Sequence, residues 1–173
     1  RYLFRPTPET LAAMITQTPT LHAFVPGHSE GFTPLNAFDG ALLDAGVGNT
    51  NLVKMSSIVP PATREVDVAD MRLPPGALVP IAYAAMESDI PGSMICAAVA
   101  AAWTHDPAKP GLIMEYHSHG HREDAERVVR RMAEEGMKMR GWEIRELKSL
   151  AIDMQVEKIG CVFAAVVLWH HEA

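Results

Sequence analysis

The sequence is poor in cysteine and aromatics, has no excess of basic residues, and contains no apolar run of membrane length. Each shortage excludes something. Two cysteines, Cys96 and Cys161, both inside apolar runs, are too few for a disulfide framework and read as reduced core thiols of a cytoplasmic protein. A net charge of -6 argues against nucleic acid and against an anionic membrane surface as partners, and suits a cationic ligand. The longest apolar run, SMICAAVAAAW, is shorter than a membrane span and ends in the turn sequence THDPAKPG. No secretory signal is expected. A glycine-flanked GxSxG elbow is also lacking, so the ordinary serine-hydrolase nucleophile is excluded.

What is present suits one domain over residues 1–173, with 48% hydrophobic residues to build a core. TPETLAAMITQ carries a helix start, with Thr7 as cap and Pro8 in the first turn. LHAFVPG reads as a strand. TPLNAFDGALLDAGVG reads as a helix capped by Thr33, with Leu35, Phe38, Leu42 and Ala45 at helical spacing and Gly46 and Gly48 at its end. NLVKMSSIV reads as one strand, stopped by Pro60 and Pro61. ALVPIAYAAMESD and SMICAAVAAAW, separated by the turn IPG, read as two buried antiparallel strands, and GLIMEYHS as another. REDAERVVRRMAEEGMKM is an amphipathic helix with Ala125, Val128, Val129, Met132, Gly136 and Met139 on its apolar face. From Leu150 the chain alternates, and GCVFAAVVLW is a last buried strand. Strands apolar on both faces, with few helices, predict two stacked sheets with helices packed outside, a layered α/β sandwich.

The serine pair Ser56-Ser57 inside NLVKMSSIV is the unusual feature. Adjacent serines in a strained turn have their own chemistry. The second hydroxyl attacks the carbonyl of the first residue, and the amide becomes an ester. Elimination then leaves dehydroalanine, which hydrolyses to a pyruvoyl group as the chain is cut. A donor must stabilise the oxyanion, a task for Asn51 or backbone N–H groups, and GVGNTN supplies backbone freedom.

The stretches EGFTPLNAFDGALLDAGVGNTNLVKMSSIVPP, LPPGALVPIAYAAMESDIPG, GLIMEY, MRGWEI and VEKIGCVFAAVVLW, in order from Ser29 to Trp169, closely resemble the pyruvoyl-dependent arginine decarboxylases. The resemblance implies self-cleavage between Ser56 and Ser57 into residues 1–56 and 57–173, with Ser57 becoming a covalent pyruvoyl cofactor and no metal or pyridoxal phosphate. It implies decarboxylation of arginine to agmatine and carbon dioxide. It makes Glu115 the proton donor, with burial among Leu112, Ile113, Met114 and Tyr116 expected to raise its pKa. Asn51 assists processing and substrate placement. Asp39 receives the guanidinium, and Leu35, Gly48, Asn51 and Ser56 complete the substrate site. The implied fold is a four-layer αββα sandwich of two mainly antiparallel sheets. The implied assembly is a trimer or a dimer of trimers with active sites between neighbours.

Three other readings stand beside this one. The same cofactor would serve another amino acid, and an uncleaved relative would be non-catalytic. A third starts from HSHGH, where His117, His119 and His121 offer metal-ligand spacing in the loop expected after Glu115. No carboxylate or cysteine pattern completes that site, and a solvated loop is the simpler reading.

Overall fold

The computed structural model describes residues 18–170. The helix expected in TPETLAAMITQ lies outside them. Nine strands and two α-helices run in the order β1 (Leu21–Glu30), α1 (Pro34–Asp44), β2 (Asn51–Lys54), β3 (Ile58–Val59), β4 (Arg64–Glu65), β5 (Leu78–Ser88), β6 (Met94–Thr104), β7 (Gly111–His119), α2 (Arg122–Met139), β8 (Ile144–Gln155) and β9 (Gly160–Trp169), with a 3-10 turn at Val68–Met71. Sheet A has the order β2-β5-β9-β1-β4 and sheet B the order β3-β7-β6-β8. Pairing is antiparallel except for β1 with β4 and β2 with β5.

Three apolar clusters separate four layers. Ala37, Ala41 and Leu42 of α1 pack on Val25, Ile81, Phe163 and Ala165 of sheet A. Ala82, Ala84, Val162 and Val166 of sheet A meet Ile95, Ala97, Val99 and Ala101 of sheet B. Ala98, Ala100, Ala102 and Leu112 of sheet B meet Ala125, Val129, Ala133 and Met137 of α2. β6 shows why the run SMICAAVAAAW is apolar throughout: its odd residues face the other sheet and its even residues face α2. Its alanines let both layers approach closely. Gly136 serves the same end, since a Cβ there would lie 2.3 Å from Leu112 Cδ2. The expected αββα sandwich is the fold.

Four local expectations are corrected. β5 and β6 do not pair with each other; they lie in different sheets, stacked across the inter-sheet core. NLVKMSSIV is not one strand but two, β2 in sheet A and β3 in sheet B. On α1 the buried stripe is Ala37, Ala41 and Leu42, and Leu35 is 73% exposed. On α2 the buried positions are Ala125, Val129, Ala133, Gly136 and Met137, while Val128 and Met139 turn outward. In both helices small residues take the face against the sheet, because a sheet already lined with side chains admits a helix closely only through alanine and glycine. No helix among the described residues is long and apolar enough to cross a membrane.

Candidate active site

The break in NLVKMSSIV builds the site. Met55 N–H donates to the Ile81 carbonyl of sheet A at 2.9 Å, and the Ser57 carbonyl accepts from Ile113 N–H of sheet B at 2.9 Å. The chain is therefore pinned on both sides of Ser56, and the Ser56–Ser57 peptide bond belongs to the crossing between the sheets. Pro60 follows β3 directly and ends its ladder. At the crossing Ser57 has φ +82, a left-handed conformation that costs a non-glycine residue about 1–2 kcal/mol. The strain expected of the serine turn thus sits on the second serine itself.

Ser57 Oγ donates to Glu115 Oε2 at 3.2 Å. Strand alternation aims Glu115. Leu112 and Met114 of β7 turn toward α2, and Ile113 turns toward sheet A, so Glu115 shares the side of Ile113. Its surroundings are not the apolar shell that the sequence predicts. The Lys54 ammonium lies 3.4 Å from Glu115 Oε1, and the Glu115 side chain is 23% exposed. β2 ends where Lys54 pairs with Ile81, leaving the edge of β5 uncovered beyond that point. In this notch the Lys54 ammonium also stands 4.5 Å from the centre of the Tyr83 ring, a cation–π contact. Lys54 and Tyr83 were not among the sequence-predicted residues. The available signal was a lysine inside an apolar strand, three residues before Ser57.

The other predicted residues are placed as follows. Asn51 is exposed at the start of β2, and its Nδ2 donates to the Gly76 carbonyl at 3.0 Å. Strand rise separates it from the Lys54 end of β2 by roughly 10 Å. Asp39 is exposed on α1, and its carboxylate makes no hydrogen bond or ion pair among the described residues. Its neighbour Phe38 packs on Tyr83, ring centroids 6.3 Å apart, which ties this turn of α1 to the same end of β5. Gly48 is required locally, since a Cβ would lie 2.7 Å from the Leu43 amide and side chain. Ser56 is exposed. The fold joins Ser57, Glu115 and Lys54 through a hydrogen bond and an ion pair; among the described residues no hydrogen bond or ion pair joins Asn51 or Asp39 to them.

The histidines do not converge. His117 and His119 lie on β7 rather than in a loop, and His121 is the N-cap position of α2. His121 instead approaches Glu123 and Asp153, with potential ligand atoms within 4.8 Å of one another. Asp153 Oδ2 already accepts from Arg122 N–H at 3.0 Å and lies 3.5 Å from His121 Nδ1. This is the cap that the α2 N-terminus needs, supplied from β8.

Residues 22–173 match the family model described as pyruvoyl-dependent arginine decarboxylase. The chain belongs to that family. A pyruvoyl-dependent arginine decarboxylase of Methanocaldococcus jannaschii is 51% identical over 152 residues, 88% of this chain and 91% of the relative. Those of Methanococcus aeolicus and Pyrococcus abyssi are 49% and 42% identical, over 89% and 88% of this chain and 92% and 96% of the relatives. Among solved structures, a pyruvoyl-dependent histidine decarboxylase matches at TM-score 0.49 and 14% identity, over 58% of this chain and 54% of the other. As a member of this decarboxylase family the chain is an enzyme, and the family implies a covalent pyruvoyl cofactor.

The residues at the crossing fit such a group. A ketone in place of the Ser57 α-carbon would keep the Ser57 carbonyl bonded to Ile113 N–H, beside the Glu115 carboxyl.

Proposed function

We propose that the chain cuts itself between Ser56 and Ser57, converts Ser57 to pyruvoyl, and then decarboxylates arginine to agmatine. The observation that carries this reading is the strained Ser57, its hydroxyl on Glu115, at a crossing pinned on both sides.

For self-cleavage, the proton of Ser57 Oγ passes to the Glu115 carboxylate as Oγ attacks the Ser56 carbonyl carbon. The ring so formed holds five atoms: Oγ, Cβ, Cα, N and the carbonyl carbon. The C–N bond then breaks and the Ser57 nitrogen takes the proton. Loss of the Ser57 α-proton breaks the Cβ–Oγ bond, which releases the Ser56 carboxylate and leaves dehydroalanine; a proton added at Cβ gives the imine, and one water replaces its nitrogen, which leaves as ammonia. The strain at Ser57 is relieved when the crossing opens.

When formed, the pyruvoyl group supplies an electrophilic carbonyl for the substrate amine and a sink for electrons as carbon dioxide leaves. The chain supplies the rest. Glu115, at the same atom position, delivers a proton to the substrate α-carbon. Asp39, exposed and unpartnered among the described residues, accepts the guanidinium in a two-point pair that an ammonium matches less well. Asn51, Gly48, Leu35 and Ser56 border the substrate. Leu35, 73% exposed on α1, meets it from the α1 side. We place the working sites between subunits of a trimer or a dimer of trimers, because among the described residues no hydrogen bond or ion pair of one chain joins Asp39 or Asn51 to Glu115. No metal takes part in this reading. Two free thiols support a reducing, cytoplasmic location.

The test is a denaturing gel with intact-mass measurement. The native protein should give pieces of roughly one third and two thirds of the chain, the larger trapped by a carbonyl reagent, and Ser57→Ala should remain whole and inactive. A native protein that stays whole and ignores carbonyl reagents would end the proposal.

A further inference from the structure

Lys54 is not used by the chemistry above, yet its ammonium is 3.4 Å from Glu115 Oε1 while Glu115 Oε2 accepts from Ser57. One carboxylate is thus held by two partners, one on each oxygen. That fixes the plane of the carboxylate and aims its second oxygen at the Ser57 hydroxyl. The Tyr83 ring holds the ammonium from its other side, and Lys54 is half exposed. Lys54 also lies two residues before Ser56, on the fragment that would end at Ser56 after cleavage.

We propose that Lys54 is a positioning residue that changes partner when the chain is cut. Before cleavage it orients Glu115 as the base for the Ser57 hydroxyl. Cleavage creates a new carboxylate at Ser56, within reach of the Lys54 side chain along the same short segment. That group is born charged and half free, and it takes the ammonium from Glu115. Glu115 is left facing the substrate without its cation, so that one residue serves first in processing and then in turnover, with the cut itself as the switch. The inference rests on the self-cleavage reading above.

Two measurements on the full-length protein test it. The first follows processing on gels for Lys54→Met and Lys54→Arg. Lys54→Met should slow cleavage at least about tenfold, and Lys54→Arg should restore most of the rate. Native processing alongside an unslowed Lys54→Met, or a Lys54→Arg as slow as Lys54→Met, would overturn the role of Lys54 while leaving the self-cleavage reading intact. Failure of the native protein to cleave would overturn both.

The second measurement treats the protein with a zero-length carbodiimide, which joins paired amines and carboxylates. Uncleaved Ser57→Ala should give a Lys54–Glu115 link. Mature protein should give closure of Lys54 on the Ser56 carboxylate, within the smaller piece. A Lys54–Glu115 link joining the two pieces of mature protein would refute the exchange.

Discussion

Asp39 sits on a turn of α1 where its side chain meets water and no partner among the described residues. Buried neighbours would not miss its charge, so replacing it tests function with little cost to the fold. Asp39→Asn should raise KM for arginine by roughly tenfold or more through loss of a charged two-point pair, while self-cleavage on a gel proceeds at the native rate. Equal loss of both would refute the assigned role. At this scale the sequence was most informative where chemistry is local. The chemistry open to Ser56-Ser57 follows from their adjacency, whereas the role of Glu115 came from the family resemblance and not from its residue type. Lys54 was not legible, because its place beside Glu115 depends on β2 ending opposite Ile81 of β5 and on the strand alternation of β7.

Among the elements, the clasp at Glu30 shows how a single side chain closes a sheet. Glu30 ends β1, and its carboxylate accepts N–H groups of Glu157 at 2.8 Å, Lys158 at 3.1 Å and Ile159 at 2.9 Å in the turn from β8 to β9. Lost hydration alone would push this carboxyl up, but the three N–H groups, with the charge of Lys158, outweigh it and hold it below its ordinary 4.5. A lowered folded value means that the contribution is present above pH 4.5 and is lost as pH falls below it. Glu30→Gln should cost about 0.5–1 kcal/mol near neutral pH, since solvent screens an exposed carboxylate, and the gap between variant and native should narrow as the acid limb is entered. A gap that is the same at every pH in chemical denaturation would refute the clasp. Element positions were mostly legible from periodicity, and α1 and α2 occupy the segments expected. The exception, NLVKMSSIV, reads as one strand because both halves are apolar and β-prone. Nothing local marks the change of sheet, which is set by Met55 bonding to Ile81 and Ser57 to Ile113.

For the whole molecule, the proposed site demands more than one chain. Sheet A ends at β2 and sheet B at β3 on the side of the serine crossing, and Ile58 and Val53 there are 37% and 45% exposed. Light scattering of the purified protein should give three or six times 18.9 kDa, and dilution that separates subunits should abolish decarboxylation. A fully active monomer would refute shared sites. The layered architecture itself was predictable, because strands apolar on both faces have to be covered twice.

The sequence by itself determined the covalent possibilities: a serine pair able to rearrange, and enough two-faced apolar strands to require stacked sheets. These follow from residue identity and spacing, which no later folding event alters. The tertiary structure alone decided that the pair falls at a crossing between sheets, that Ser57 carries the backbone strain, and that Lys54 is the counter-ion of Glu115. Those facts depend on which distant strands become neighbours, and that choice is made by packing three cores at once rather than by any short stretch of chain.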